Sequence, residues 1–185
     1  MNMGTRGCYG FRKDGKDKLT YNHYDSYPSW LGKQVVEFAR GTSTERMREI
    51  FDSIILVDSD TKATPEQQEE CKQFRDERVS TGRADEWYCL LRNAQGDLAA
   101  FRDKGLRYMV DDHLFMQNSL FCEWAYVIDL DREVLEVYRG FQKTAHGGRY
   151  QGEADDMGYY GVMQVAEFPL GDIPDVETWG FEDEG

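Results

Sequence analysis

Alternating apolar and polar positions dominate both ends of the chain, whereas the stretch between them repeats its apolar residues at helical spacing. At the start, residues 6–11 and 18–23 form two aromatic-rich runs separated by Lys13-Asp14-Gly15-Lys16. Asp-Gly between such runs is a strong short-range hairpin signal, because both residues tolerate the positive φ of a type I′ turn. Pro28 and Ser29 supply a turn ahead of Trp30, Leu31, Val35, Val36, Phe38 and Ala39, which predict a short amphipathic helix ended by Gly41. A second helix follows Ser43, with Met47, Ile50, Phe51, Ile54 and Ile55 on one face, although residues 54–57 also suit a strand. Thr64-Pro65-Glu66 reads as an N-cap followed by proline at the first helical position, predicting a polar helix to about Glu77. Trp87, Leu90, Leu91 and Ala94 mark another short helix closed near Gly96, and residues 98–101 add a helical turn before Gly105.

From Leu120 the period changes. Residues 121–130 are β-rich, and residues 134–141 return across Asp131-Arg132-Glu133 as a second hairpin. In the return strand Leu135, Val137 and Arg139 fall on one face, with Glu136 and Tyr138 on the other. Residues 144–161 hold five glycines together with His146, Asp155 and Asp156, and too few apolar residues for a core, so they predict a long surface loop. A last strand spans residues 162–168 and ends at Pro169. Two β-rich ends around a helical middle predict an α+β fold. Its antiparallel sheet would have about five strands from the N- and C-terminal thirds, with the mostly helical middle packed on one face. A length of 185 residues, with no internal repeat, fits a single domain.

Composition narrows the classes. Hydrophobic residues make up 40% and charged ones 31%, which excludes disordered and collagen-like chains. No stretch approaches a membrane span or a signal-peptide core, and Cys8, Cys71, Cys89 and Cys122 are widely spaced without a C-x-x-C pair, so reduced thiols and a cytoplasmic location are expected. The net charge of −13 argues against direct binding to nucleic acid or anionic membranes. It is also uneven: residues 1–48 carry a balance of +4 and the other 137 carry −17. Six carboxylates and no base follow from Asp172 onwards, predicting a solvated acidic tail.

The first hairpin holds the best constellation for chemistry. With a two- or four-residue turn at Asp14-Gly15, cross-strand partners have numbers that add up to 29, so Cys8 faces Tyr21 and Arg6 faces His23. Arg6, Cys8, Tyr21 and His23 then share a face, with Asp25 joining if the strand continues. A three- or five-residue loop would send Cys8 to the opposite face. A thiol beside an imidazole oriented by a carboxylate can act as a nucleophile, and Arg6 can stabilise an anion. The polar run from Tyr21, Asn22 and Tyr24 to Pro28 suits either a binding pocket or a network that fixes the strand-to-helix corner. Asp111, Asp112 and His113, or His146 with Asp155 and Asp156, have donor types that suit divalent ions, but neither spacing is diagnostic. No metal or cofactor is assigned. Gly4, Gly7 and Gly10 match no phosphate-binding loop, and suit tight packing or a bulge.

The run Gly4-Thr5-Arg6-Gly7-Cys8-Tyr9-Gly10-Phe11, with Tyr21-Asn22-His23-Tyr24-Asp25-Ser26-Tyr27-Pro28 and the strand from Leu120 to Leu130, resembles a family of bacterial and phage proteins that has no assigned activity. The opening Cys-bearing hairpin also resembles N-terminal nucleophile hydrolases. That likeness implies Cys8 as nucleophile and its own amine as base, after removal of seven residues. Two functional readings follow. The charge pattern favours a non-catalytic acidic interaction protein, phage-encoded in one version, which docks on a basic protein surface and uses Asp155 and Asp156 among its contacts. The alternative is a small cysteine-dependent amide or ester hydrolase or acyltransferase, with Cys8, His23, Asp25 and Arg6 as its catalytic set.

Overall fold

The computed structural model describes residues 4–181. Strand β1 (Gly7–Lys13) turns at Asp14 and Gly15 into β2 (Lys16–Asn22), with Cys8 opposite Tyr21 and Gly10 opposite Leu19. Asp14 and Gly15 both adopt positive φ, 53° and 70°, as a two-residue type I′ turn requires. Asp131, from the second hairpin, clamps this tip. Its carboxylate accepts the Asp14 and Gly15 N–H groups at 2.7 and 3.0 Å, which lowers its pKa.

The chain then enters a π-helical turn, Pro28–Gly32, that runs straight into α1 (Lys33–Arg40). Helix α2 (Thr44–Ser53) starts at Ser43, whose hydroxyl accepts the Arg46 N–H. Residues 55–57, which suited helix and strand alike, form β3 (Ile55–Val57). Thr64 and Gln67 make the reciprocal capping box that opens α3 (Pro65–Cys71). That helix is shorter than its sequence predicts: only Cys71 and, in the following 3-10 turn, Phe74 are buried, too narrow a stripe to hold further turns. Short helices α4 (Trp87–Leu90) and α5 (Ala99–Asp103) precede β4 (Tyr108–Val110), which pairs parallel with β3.

Strands β5 (Trp124–Asp129), β6 (Val134–Arg139) and β7 (Met163–Pro169) complete a five-stranded sheet in the order β2-β1-β5-β6-β7. The α+β class expected from the sequence is present, with one difference: β1 and β5 pair in parallel. This makes β1 an inner strand, and Gly7 to Phe11 are buried throughout. Gly10 is obligatory there, since it has a φ of 150° and a Cβ at that position would meet the Lys18 carbonyl oxygen at 2.1 Å.

The sheet is covered on both faces. Tyr9, Phe11, Trp124, Tyr126, Ile128, Leu135 and Val137 point into the larger core under the helices. Cys8, Leu19, Ala125, Val127 and Tyr138 point the other way, onto Met116, Cys122, Tyr150 and Val162. The stretch expected to be a surface loop therefore also serves as a lid, because Tyr150 fills part of the second core. The expectation of a solvated tail from Asp172 is likewise corrected. Ile173 and Val176 are buried, Trp179 stacks on Phe168 at 5.0 Å, and Phe181 meets Trp124 edge-on at 5.4 Å; Glu182, Asp183 and Glu184 lie outside the described residues. Among the described residues, no helix is long and apolar enough to cross a membrane.

Candidate functional site

The hairpin register that would align Cys8 with its partners is the one observed, yet no catalytic set results. Cys8, the second residue of the inner strand β1, has no exposed surface, and its Sγ faces the Asp112 carbonyl oxygen at 3.9 Å. Burial, then the neighbouring Cys122 and Asp112, pushes its pKa well above the ordinary thiol value, so a thiolate is disfavoured. His23 follows the end of β2, where its Nδ1 shares a 2.8 Å hydrogen bond with the Tyr21 hydroxyl. Among the described residues it bonds to neither Cys8 nor Asp25. Arg6 is exposed and stacks over Phe121 at 5.6 Å. Face alignment alone could not reveal this, because a shared face says nothing about what covers it.

The polar run after β2 divides its work. Asn22, buried, donates its side-chain amide to the Tyr24 carbonyl and to Ser26 Oγ, and the Tyr126 hydroxyl donates to the Ser26 carbonyl at 2.8 Å. This half fixes the strand-to-helix corner. Tyr21 and Tyr24 look outward to a second group of residues contributed by the short helices. The His23 N–H donates to Gln95 Oε1 at 3.0 Å, and the His23 ring meets Tyr24 and Tyr88 edge-on.

Beyond the β2 edge, these elements enclose a cavity of about 150 Å³. Its walls include Tyr9, Trp87, Leu91, Phe101 and Tyr108, with Tyr21, Tyr88, Gln95 and Asp112 as polar groups. The Trp87 indole N–H is buried there without a hydrogen-bond partner. The Asp112 carboxyl is aimed by two donors, the Tyr21 N–H at 2.9 Å and the Thr20 hydroxyl at 3.2 Å. Burial dominates over those bonds and raises its pKa.

Arg92, in the 3-10 turn Arg92–Ala94 behind α4, is 5% exposed. Its guanidinium lies 4.0 Å from the Tyr24 ring centroid, and Nη1 makes a long 3.4 Å contact with Gln95 Oε1. Nε and Nη2 are buried with no partner. Burial, Arg92 and Arg6, in that order, lower the His23 pKa, so the imidazole stays neutral to lower pH than an ordinary histidine. Although the protein carries a net charge of −13, the charges that act on His23 are the two cations Arg92 and Arg6.

The other sequence candidates do not converge. Asp111 Oδ1 meets His113 Nδ1 at 2.6 Å while Asp112 turns towards β2. His146 Nε2 meets the Gly161 carbonyl oxygen at 3.0 Å, and Asp155 Oδ1 accepts the N–H groups of Met157 and Tyr159, with Asp156 exposed beside them. The described residues contain no group of three or more His, Cys, Asp or Glu able to hold a metal ion. Sequence reasoning missed Trp87, Tyr88, Arg92 and Gln95 as site residues. The pair Trp87-Tyr88 was a signal, since aromatic rings with polar handles recur at binding sites, but nothing local ties it to β2. No family model, curated protein or solved structure matches the chain.

Proposed function

We propose that this protein binds a small, largely apolar molecule in the aromatic cavity beside β2, with Asp112 accepting a hydrogen bond from it. The observation that supports this reading is a carboxyl group fixed by Tyr21 and Thr20 in the wall of a chamber lined mainly by rings and aliphatic groups, with Thr20, Ser59 and Gln95 as further polar residues. Specific sites commonly combine an apolar wall with a few directed polar groups. A volume of about 150 Å³ accommodates one ring. Trp87 lies in the wall, so its fluorescence reports occupancy. Titration with phenol and benzylamine should change that fluorescence, and amide shifts should centre on Tyr21, Gln95 and Met109. Filling the chamber by Ala94→Trp should abolish both responses. Binding that persists in the filled variant, or no binding at all, removes the reading.

The interaction-protein reading keeps a narrower basis. Many carboxylates behind the −17 balance have basic neighbours: Glu133 with Arg48, Glu167 with Arg132, Asp175 with Arg40 and Glu177 with Lys33. What supports a basic partner is the exposed segment with Glu153, Asp155 and Asp156 beside Met157, which is 67% exposed. Reversing Glu153 and Asp156 to Lys should abolish capture of such a partner at moderate salt. Capture unchanged by that reversal counts against docking through this segment. For the hydrolase, native Cys8 should react with a thiol probe at neutral pH no faster than the chain unfolds; rapid labelling would restore it.

A further inference from the structure

The buried Nε and Nη2 of Arg92, which have no hydrogen-bond partner, have no structural account. Withdrawing an arginine from water is costly unless carboxylates or carbonyls meet its N–H groups, and a residue 5% exposed has lost nearly all its hydration. Asp76 is the carboxylate whose pKa Arg92 helps to lower, yet it is already held by Arg78 through Nε and Nη2, both at 2.9 Å. The Tyr24 face offsets part of the cost through a cation–π contact but supplies no acceptor in the guanidinium plane. Tyr24 itself is 59% exposed, an unusual position for a ring that covers a buried charge. Arg92 stands one residue behind the cavity wall: Gln95 and Tyr88 line the chamber, and the guanidinium lies 3.4 Å from Gln95 Oε1 and 6.0 Å from the Tyr88 ring centroid.

We propose that Arg92 is an anion anchor capped by the Tyr24 ring, and that the molecule taken into the adjoining cavity is an aromatic oxyanion, a carboxylate or a phosphate ester. This deepens the cavity reading and rests on it. The oxyanion accepts from Nε and Nη2, the paired edge that suits a planar or tetrahedral oxyanion. Its ring enters between Tyr88 and Leu91. Swinging the exposed Tyr24 ring aside opens the anchor without disturbing the corner, since Asn22 and Ser26 hold the Tyr24 carbonyl and not its ring.

The test compares benzyl alcohol, benzoate and phenyl phosphate by calorimetry on the full chain. Benzoate or phenyl phosphate should bind about ten-fold or more tightly than benzyl alcohol, the gain expected of a charge-assisted hydrogen bond. The tighter of the two identifies which oxyanion is preferred. In Arg92→Met the gap should close while benzyl alcohol binds as before and the Tm is unchanged or higher. In Tyr24→Ala, whose ring is exposed, the benzoate on-rate should rise several-fold. If none of the three binds, the cavity reading fails. If benzyl alcohol binds and the anions bind no better, the anchor alone is wrong. An anion preference that survives Arg92→Met, or an on-rate indifferent to Tyr24→Ala, also overturns it.

Discussion

Two corners of this molecule bring charge into places with little water, and they treat it in opposite ways. At the β5–β6 hairpin, Asp129 and Glu136 are 1% and 0% exposed, and both are answered from outside the sheet: Arg149 reaches Glu136 at 2.7 Å and Asp129 at 3.4 Å. Arg132 adds a contact to Glu136 at 3.6 Å, and the Asp129 carboxylate also takes the Asp131 and Arg132 N–H groups. Beside β2 a cation is buried and nothing of opposite sign meets it. Compensated burial of the first kind holds a loop onto a sheet. Uncompensated burial of the second kind weakens the fold and persists where something else needs it.

Stability measurements can break that contrast. Arg149→Met leaves two buried carboxylates without their main partner and should cost about 3–5 kcal/mol in denaturant unfolding, with residues 141–162 losing hydrogen-exchange protection first. A loss below about 1 kcal/mol would mean that the loop is held by Tyr150 and Val162 alone. Arg92→Met should move the other way, with no loss and a gain of about 1 kcal/mol or more, because the unpaired charge is replaced by an apolar chain. A clear destabilisation would show that the guanidinium is structural and would collapse the distinction between the two corners.

The smallest effect sharpens it. Burial and the cations Arg92 and Arg6 lower the His23 pKa, so its unfolded form binds protons more readily than its folded form. Its contribution to stability is therefore complete above the ordinary imidazole value near 6.5 and shrinks as pH falls through that value towards the folded one. Removing Arg92 should raise the His23 pKa and flatten that slope, leaving burial and Arg6 as the remaining causes. Proton NMR of the three histidines would follow it. No upward movement of His23 would place Arg92 too far away to matter.

Much of the fold was legible locally. The Asp14-Gly15 turn set the Cys8–Tyr21 register, because a two-residue turn leaves one alignment open. Ser43 and Thr64 marked their helices through donors that only neighbouring residues can satisfy. The site was legible only in part: Tyr21 and Tyr24 were named, but their partners come from residues 87–112, and β4, which helps wall the cavity, was unforeseen. Arg92 carries no local sign of its role, since an arginine after two leucines in a short helix usually extends to solvent.

The amino-acid order by itself determined the hairpins, the capped helices, the α+β class and the imbalance of charge. Each depends on residues a few positions apart, or on totals. Only the tertiary structure decided that β5 joins β1 in parallel, that Cys8 is sealed while Tyr24 is not, and that one buried charge is answered and the other is left open. Those outcomes depend on which distant surfaces exclude water together, and no periodicity along the chain encodes that.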